Sequence, residues 1–155
     1  MNEPAPPSGE LIFTRVFEAP RELVFACMTK PEHLTHFWGP AGVSTPIEHI
    51  RVDPRPGGVF EAVMVNDADG SQYRMRVIFD EVTEPERLIW TDQDTGMRTT
   101  STFTDLGGSR TEVQIHQANV PEPMRRPEAQ QGFLTSLDRF AVYLGALAAG
   151  PRDGG

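Results

Sequence analysis

The period of the apolar residues changes along this chain, and that change constrains the fold more than any other feature. Through the middle, apolar side chains recur at every second position: Phe60, Ala62 and Met64, then Tyr73, Met75, Val77 and Phe79. Near the end the spacing becomes four, three, four and three through Phe133, Leu137, Phe140, Leu144 and Leu147. A period of two marks a strand with one buried face, and a period near 3.6 marks a helix with an apolar stripe. A run of strands followed by one long amphipathic helix leaves few architectures. The sheet must cover its apolar face, and only that helix is long enough to do so.

The connections support an antiparallel meander. "GVSTPIEHIRVDPRPGG" reads as a strand ending in a Pro-Gly-Gly turn, Asp67 to Gly70 is a turn cluster, and Gly107-Gly108 turns a final hairpin. Six strands in succession are expected. Upstream, Leu11, Phe13 and Phe17 predict a further strand, closed by Ala19-Pro20. Pro20 then opens a helix carrying Leu23, Val24, Cys27 and Met28 on one face, and Pro31 opens a second short helix, "PEHLTHFW". The expected order is strand, two short helices, six strands and a long helix. The tails at 1–10 and 150–155, rich in Pro, Gly and charge, read as disordered, leaving 11–149 as a single domain.

Charge and composition exclude several classes. Fourteen Lys+Arg against twenty-two Asp+Glu give a net charge of −8, which opposes binding to nucleic acid or to anionic membranes. No apolar run approaches the ~18 residues of a membrane helix, and no secretory leader is visible, so a cytoplasmic location is expected. Cys27 is the sole cysteine, which removes intrachain disulfides and multi-cysteine metal sites. No cofactor fingerprint is present: Gly39, Gly42, Gly57 and Gly58 lack the spacing of a phosphate-binding loop.

The stretch "TKPEHLTHFWGPAG" invites a metal reading, since His33 and His36 stand three apart on a helix. A third ligand would have to arrive from His49 or His116, and Glu-His-x-x-His inverts the metalloprotease order, so no metal site is expected. A structural plug and hinge, with Trp38 free to touch a ligand, is the reading adopted. Arg74 and Arg76 fall opposite the aromatic parity and read as solvent-facing. Arg15 shares the parity of Phe13 and Phe17, so it either emerges at the strand end or is buried against a carboxylate, for which Glu81 is one choice. There is no nucleophile elbow, and Cys27, on an apolar helix face, reads as core.

"TRVFEAPRELVFACMTKPEHLTHFWGPAG", "VDPRPGGVFEAVM", "EPERLIWT" and "GFLTSLDRFAVYL", in that order, resemble the bacterial proteins similar to the Hsp90 ATPase activator domain, within the START-like helix-grip superfamily. The resemblance runs from about Phe13 to Leu144. It implies an α+β helix-grip fold. A curved seven-stranded antiparallel sheet wraps the C-terminal helix, the first strand lies beside the last, and two short helices plug one end of a cavity.

A twisted sheet around a straight helix leaves a gap, a natural apolar pocket. Strand parity places Phe60, Met64, Tyr73, Met75 and Trp90 on its wall, with Phe133, Ser136 and Leu137 from the helix; the resemblance implies that the loop after the second short helix lies at the entrance, where Trp38 can touch a ligand. The expected function is non-catalytic binding of a small hydrophobic or aromatic molecule, lipid- or polyketide-like, for sensing, transport or resistance. An acid–base enzyme of the cyclase or dehydratase type, using Tyr73, His116 and Ser136, is a second reading. A chaperone partner of the Hsp90 type, implied by the family name, is a third. A monomer or a weak dimer is expected, since open sheet edges permit pairing without specifying it.

Overall fold

Two prolines set the first corner of the molecule. In the computed structural model, which describes residues 9–149, strand β1 (Leu11–Phe17) runs into Pro20, whose carbonyl accepts the Leu23 and Val24 N–H groups and starts helix α1 (Arg21–Cys27). Pro31 occupies the first turn of α2 (Pro31–Leu34), where its missing N–H is no loss. The remainder of "PEHLTHFW" continues as turns, so this second helix is shorter than its apolar pattern suggests.

The segment expected as one strand after Gly42 is broken. It forms β2 (Val43–Ser44), a 3-10 turn at Ile47–His49 and β3 (Arg51–Val52). Pro46 explains the break, because it precedes the turn with its fixed φ of −61° and cannot donate to a ladder. Then β4 (Val59–Asn66), β5 (Gln72–Thr83), β6 (Arg87–Asp92), β7 (Arg98–Gly107) and β8 (Arg110–Ala118) form the meander. The sheet order is β1-β8-β7-β6-β5-β4-β2, all antiparallel, with β3 also pairing β4. The first strand therefore lies beside the last, with Phe13 opposite Ile115. A bulge between Phe79 and Glu81 adds bend in the middle of the sheet.

Helix α3 (Pro127–Ala149) lies across the concave face. Its stripe meets aromatic partners on one side only: Phe133 packs on Phe13 (4.6 Å between centroids), and Phe140 sits between Phe17 (4.9 Å) and Phe37 (4.2 Å). Leu144 is completely buried. These contacts anchor the helix to β1 and to the turn after α2, leaving space between α3 and strands β5 to β8. At the other end of the chain, Gly9 and Glu10, assigned by composition to the tail, are held in place. The Gly9 carbonyl accepts the Val120 N–H (2.8 Å), and Glu10 Oε1 lies 3.1 Å from His116 Nε2. The rest of the two composition-defined tails lies outside the described residues.

Candidate functional site

Between α3 and the sheet is a cavity of about 470 Å³, partly open to solvent and largely apolar. Its floor is the inward parity of four strands: Tyr73, Met75 and Val77 on β5, Trp90 on β6, Phe103 on β7, and Val113 and Ile115 on β8. Its roof is the first half of α3, where Phe133, Ser136, Leu137 and Phe140 recur at helical spacing. The Gly39-Pro40 turn and Trp38 form the side wall.

That side wall is braced. The Thr45 hydroxyl donates to the Trp38 carbonyl (2.7 Å), and the Thr35 hydroxyl donates to the Thr45 carbonyl (2.7 Å). Arg139 on α3 donates to three carbonyls, those of Gly39 (2.8 Å), Pro40 (3.0 Å) and Val43 (3.2 Å). The loop is therefore tied to the helix, where composition had suggested a hinge. Gly39 has φ +101°, and a Cβ there would meet Val43 at 3.2 Å and Met64 Sδ at 3.3 Å, so the position requires glycine.

All the sequence-predicted residues but one lie on this cavity wall: Trp38, Met64, Tyr73, Met75, Trp90, Phe133, Ser136 and Leu137. Phe60 does not. It is fully buried behind the wall, its ring packed edge-on against Trp38 (5.0 Å) and Trp90 (5.6 Å). Its parity is inward as read, but Trp38 covers it. Phe60 supports the two tryptophans and has no access to the space.

Other candidates are accounted for elsewhere. Arg15 pairs with Asp138 on α3 at 2.8 Å, whereas Glu81 takes Arg87 (2.8 Å) and the Thr83 hydroxyl (2.8 Å). The sheet order explains the correction: β1 and β5 are separated by three strands, so Arg15 cannot reach Glu81. Arg74 and Arg76 are exposed, and Arg76 pairs across the ladder with Glu61 (2.8 Å). His33 Nδ1 lies 2.6 Å from the Tyr143 hydroxyl, and His36 stacks on the same ring at 5.1 Å. The two histidines thus clamp α2 and the turn after it to α3. Among the described residues no three His, Cys, Asp or Glu side chains gather as a ligand set. His116 lies on the outer face beside Glu10, on the opposite side of the sheet from Ser136 and Tyr73. Cys27 is buried, and that burial pushes its thiol up to about 12.

Sequence reasoning passed over the polar part of the wall. Asp92 on β6, Thr99 and Ser101 on β7, and Gln117 on β8 all face the cavity. Parity could have found them, since Asp92 is in phase with Trp90, Ser101 with Phe103, and Gln117 with Val113 and Ile115. An apolar search skips polar residues even where the alternation puts them inside.

A sequence profile for the Activator of Hsp90 ATPase homolog 1-like protein family matches residues 18–145. The chain belongs to this family. Solved structures agree on the helix-grip architecture. A crystal structure from Chromobacterium violaceum is 25% identical, with 86% of this chain and 96% of that one covered at a TM-score of 0.79. One from Nitrosomonas europaea is also 25% identical, covering 94% and 99% at 0.79. A solution NMR structure from Aeromonas hydrophila is 24% identical, covering 89% and 94% at 0.73. No curated protein matches the sequence. Like its Activator of Hsp90 ATPase homolog 1-like relatives, the chain is an α+β domain, and no described helix is long and apolar enough to cross a membrane.

Proposed function

We propose that this protein binds a small hydrophobic or aromatic molecule, without transforming it, in the space between α3 and the sheet. The observation that carries the reading is the cavity itself. About 470 Å³ opens to solvent through a mouth and is walled by aromatic rings, methionines and aliphatic side chains contributed by both layers of the fold. Sites for small molecules have this size and character. Burying roughly 200 Å² of apolar ligand surface would give about 5 kcal/mol gross at ~25 cal/mol per Å². Ordering costs reduce this, so affinities in the micromolar range are expected. Of the three residues named for an acid–base mechanism, Tyr73 and Ser136 line the cavity and His116 lies outside it, so that set does not converge on a bound molecule.

The test is a proton–nitrogen NMR titration with fatty acids, flavonoids, polyketide-like aromatics and macrolides. Saturable shifts at the Trp38 and Trp90 indoles and along Phe133–Leu137 support the reading. Shifts confined to the outer face, or none at millimolar ligand, overturn it and move attention to a protein partner of the kind the family name suggests.

A further inference from the structure

The charge of the cavity has one sign. Asp92 and Glu128 both lie on its lining, and among the described residues no Lys, Arg or His side chain does. Asp92 is buried on the inner face of β6. Its Oδ1 accepts the backbone N–H groups of Asp94 (2.8 Å) and Thr95 (3.0 Å), while its Oδ2 has no hydrogen-bond partner among the described residues. Capping that turn explains one oxygen and leaves the other free. No cationic side chain pairs with Asp92 among the described residues, although an ionised carboxylate inside a protein ordinarily finds a counter-charge.

Further along the same inner face, three more polar side chains border the cavity. Thr99 stands opposite Trp90 on one side and Gln117 on the other, and Ser101 follows on the same face of β7. They are 4%, 7% and 1% exposed respectively, and each lines the cavity. None of the three side chains has a hydrogen-bond partner among the described residues, and their polar atoms are not sealed in packed protein. Buried hydroxyls and amides are satisfied in the great majority of folded proteins, so these groups are suited to polar atoms of a ligand. At the mouth, burial and then the Asp92 and Asp94 carboxylates raise the Tyr73 phenol above its ordinary value, so the negative field extends to the entrance.

We infer that the cavity selects a lipophilic cation, a protonated amine on an apolar or aromatic body, over the corresponding alcohol or carboxylate. This inference rests on the binding function proposed above. An anion entering here would lose its hydration beside two carboxylates and gain no cation in exchange. A protonated amine would meet Asp92 Oδ2 beside the indoles of Trp38 and Trp90, aromatic systems that attract cations, while Thr99, Ser101 and Gln117, further along the sheet, would take polar atoms of the ligand's body. The apolar body would lie against Phe133 and Leu137.

The experiment is isothermal titration of the full chain at pH 7 with a matched series: naphthylmethylamine, naphthylmethanol and naphthoate. The amine is expected to bind about tenfold more tightly than the alcohol, with naphthoate weakest. Asp92→Asn keeps an acceptor for the Asp94 and Thr95 N–H groups. It should cut the affinity for the amine about tenfold while leaving the alcohol within about twofold. If Asp92→Asn melts well below the native protein, Glu128→Gln at the exposed rim takes its place, with an expected loss of about threefold for the amine alone. Naphthoate binding as tightly as the amine would overturn the charge selection and leave the cavity reading standing. So would amine affinity unchanged by whichever of the two substitutions is measured. Failure of all three probes to bind would instead overturn the cavity reading, and this inference with it.

Discussion

Replacing Ser136 by phenylalanine places an aromatic ring in the space a ligand would use, and the structure gives the size of the effect. Ser136 is half-buried on α3, in line with Phe133 and Leu137, and its side chain reaches the cavity without contacting the sheet through a hydrogen bond. A phenylalanine ring buries roughly 150 Å² when enclosed, worth about 4 kcal/mol at ~25 cal/mol per Å². The open mouth halves that, and fixing the side chain costs about 0.5–1 kcal/mol. Ser136→Phe should therefore stabilise the free protein by about 1 kcal/mol, a rise in Tm of roughly 3 °C for a domain of this size. The same ring denies a ligand about 80 Å² of its contact surface, or about 2 kcal/mol, which is close to a 30-fold loss of affinity. Differential scanning calorimetry and a titration with any cavity ligand measure both. A fall in Tm of several degrees would mean that there is no room and the core is overpacked. An unchanged affinity would mean that the ligand sits elsewhere. Either result refutes the reasoning.

Four further outcomes follow from other parts of the structure. A Cβ at Gly58 would fall 2.0 Å from the Asp53 carbonyl oxygen, so Gly58→Ala should cost about 2 kcal/mol or more in urea denaturation. At Gly145, on α3 with nothing within 4 Å of the added carbon, alanine should instead stabilise by about 0.5–1 kcal/mol in the same assay. Burial holds the His33 imidazole below its ordinary value of 6.5, partly opposed by the Glu32 carboxylate. The unfolded chain therefore takes up the proton first, and stability should fall as the pH drops through about 6.5 and level off below the folded value, a slope that His33→Gln should reduce in melts between pH 7.5 and 5. Cys27 should resist a thiol-disulfide reagent at pH 8 in the native protein and react at once in denaturant, because its buried thiol is pushed up to about 12.

The elements with a clean period were readable from the residues alone. Steps of four and three through Phe133, Leu137, Phe140, Leu144 and Leu147 admit only a helix, and alternation at Tyr73, Met75, Val77 and Phe79 admits only a strand. The stretch from Val43 to Val52 was harder, because Pro46 interrupts a pattern that local alternation would carry through. Parity gives the face a residue occupies but not its depth, which is why Phe60 faces inward and still lies behind Trp38. The partner of Arg15 depended on which strand lies nearest α3, a fact of sheet order that no local spacing contains. Arg139 gave no signal at all, since one more arginine on a helix surface predicts nothing about the three carbonyls it gathers.

Asp138 and Arg139 sit midway along α3 and fasten it to β1 on one side and to the loop after Trp38 on the other. That mid-point attachment divides the labour of one helix. Beyond it, Leu144 and the Tyr143 contact with His33 and His36 secure the foundation of the domain. Before it, Phe133 still grips Phe13 on β1, but the side of the helix that bears Ser136 stands over open space. Residues on that open side, Ser136 first, can be exchanged one at a time, each reshaping what the protein admits while the building stays up.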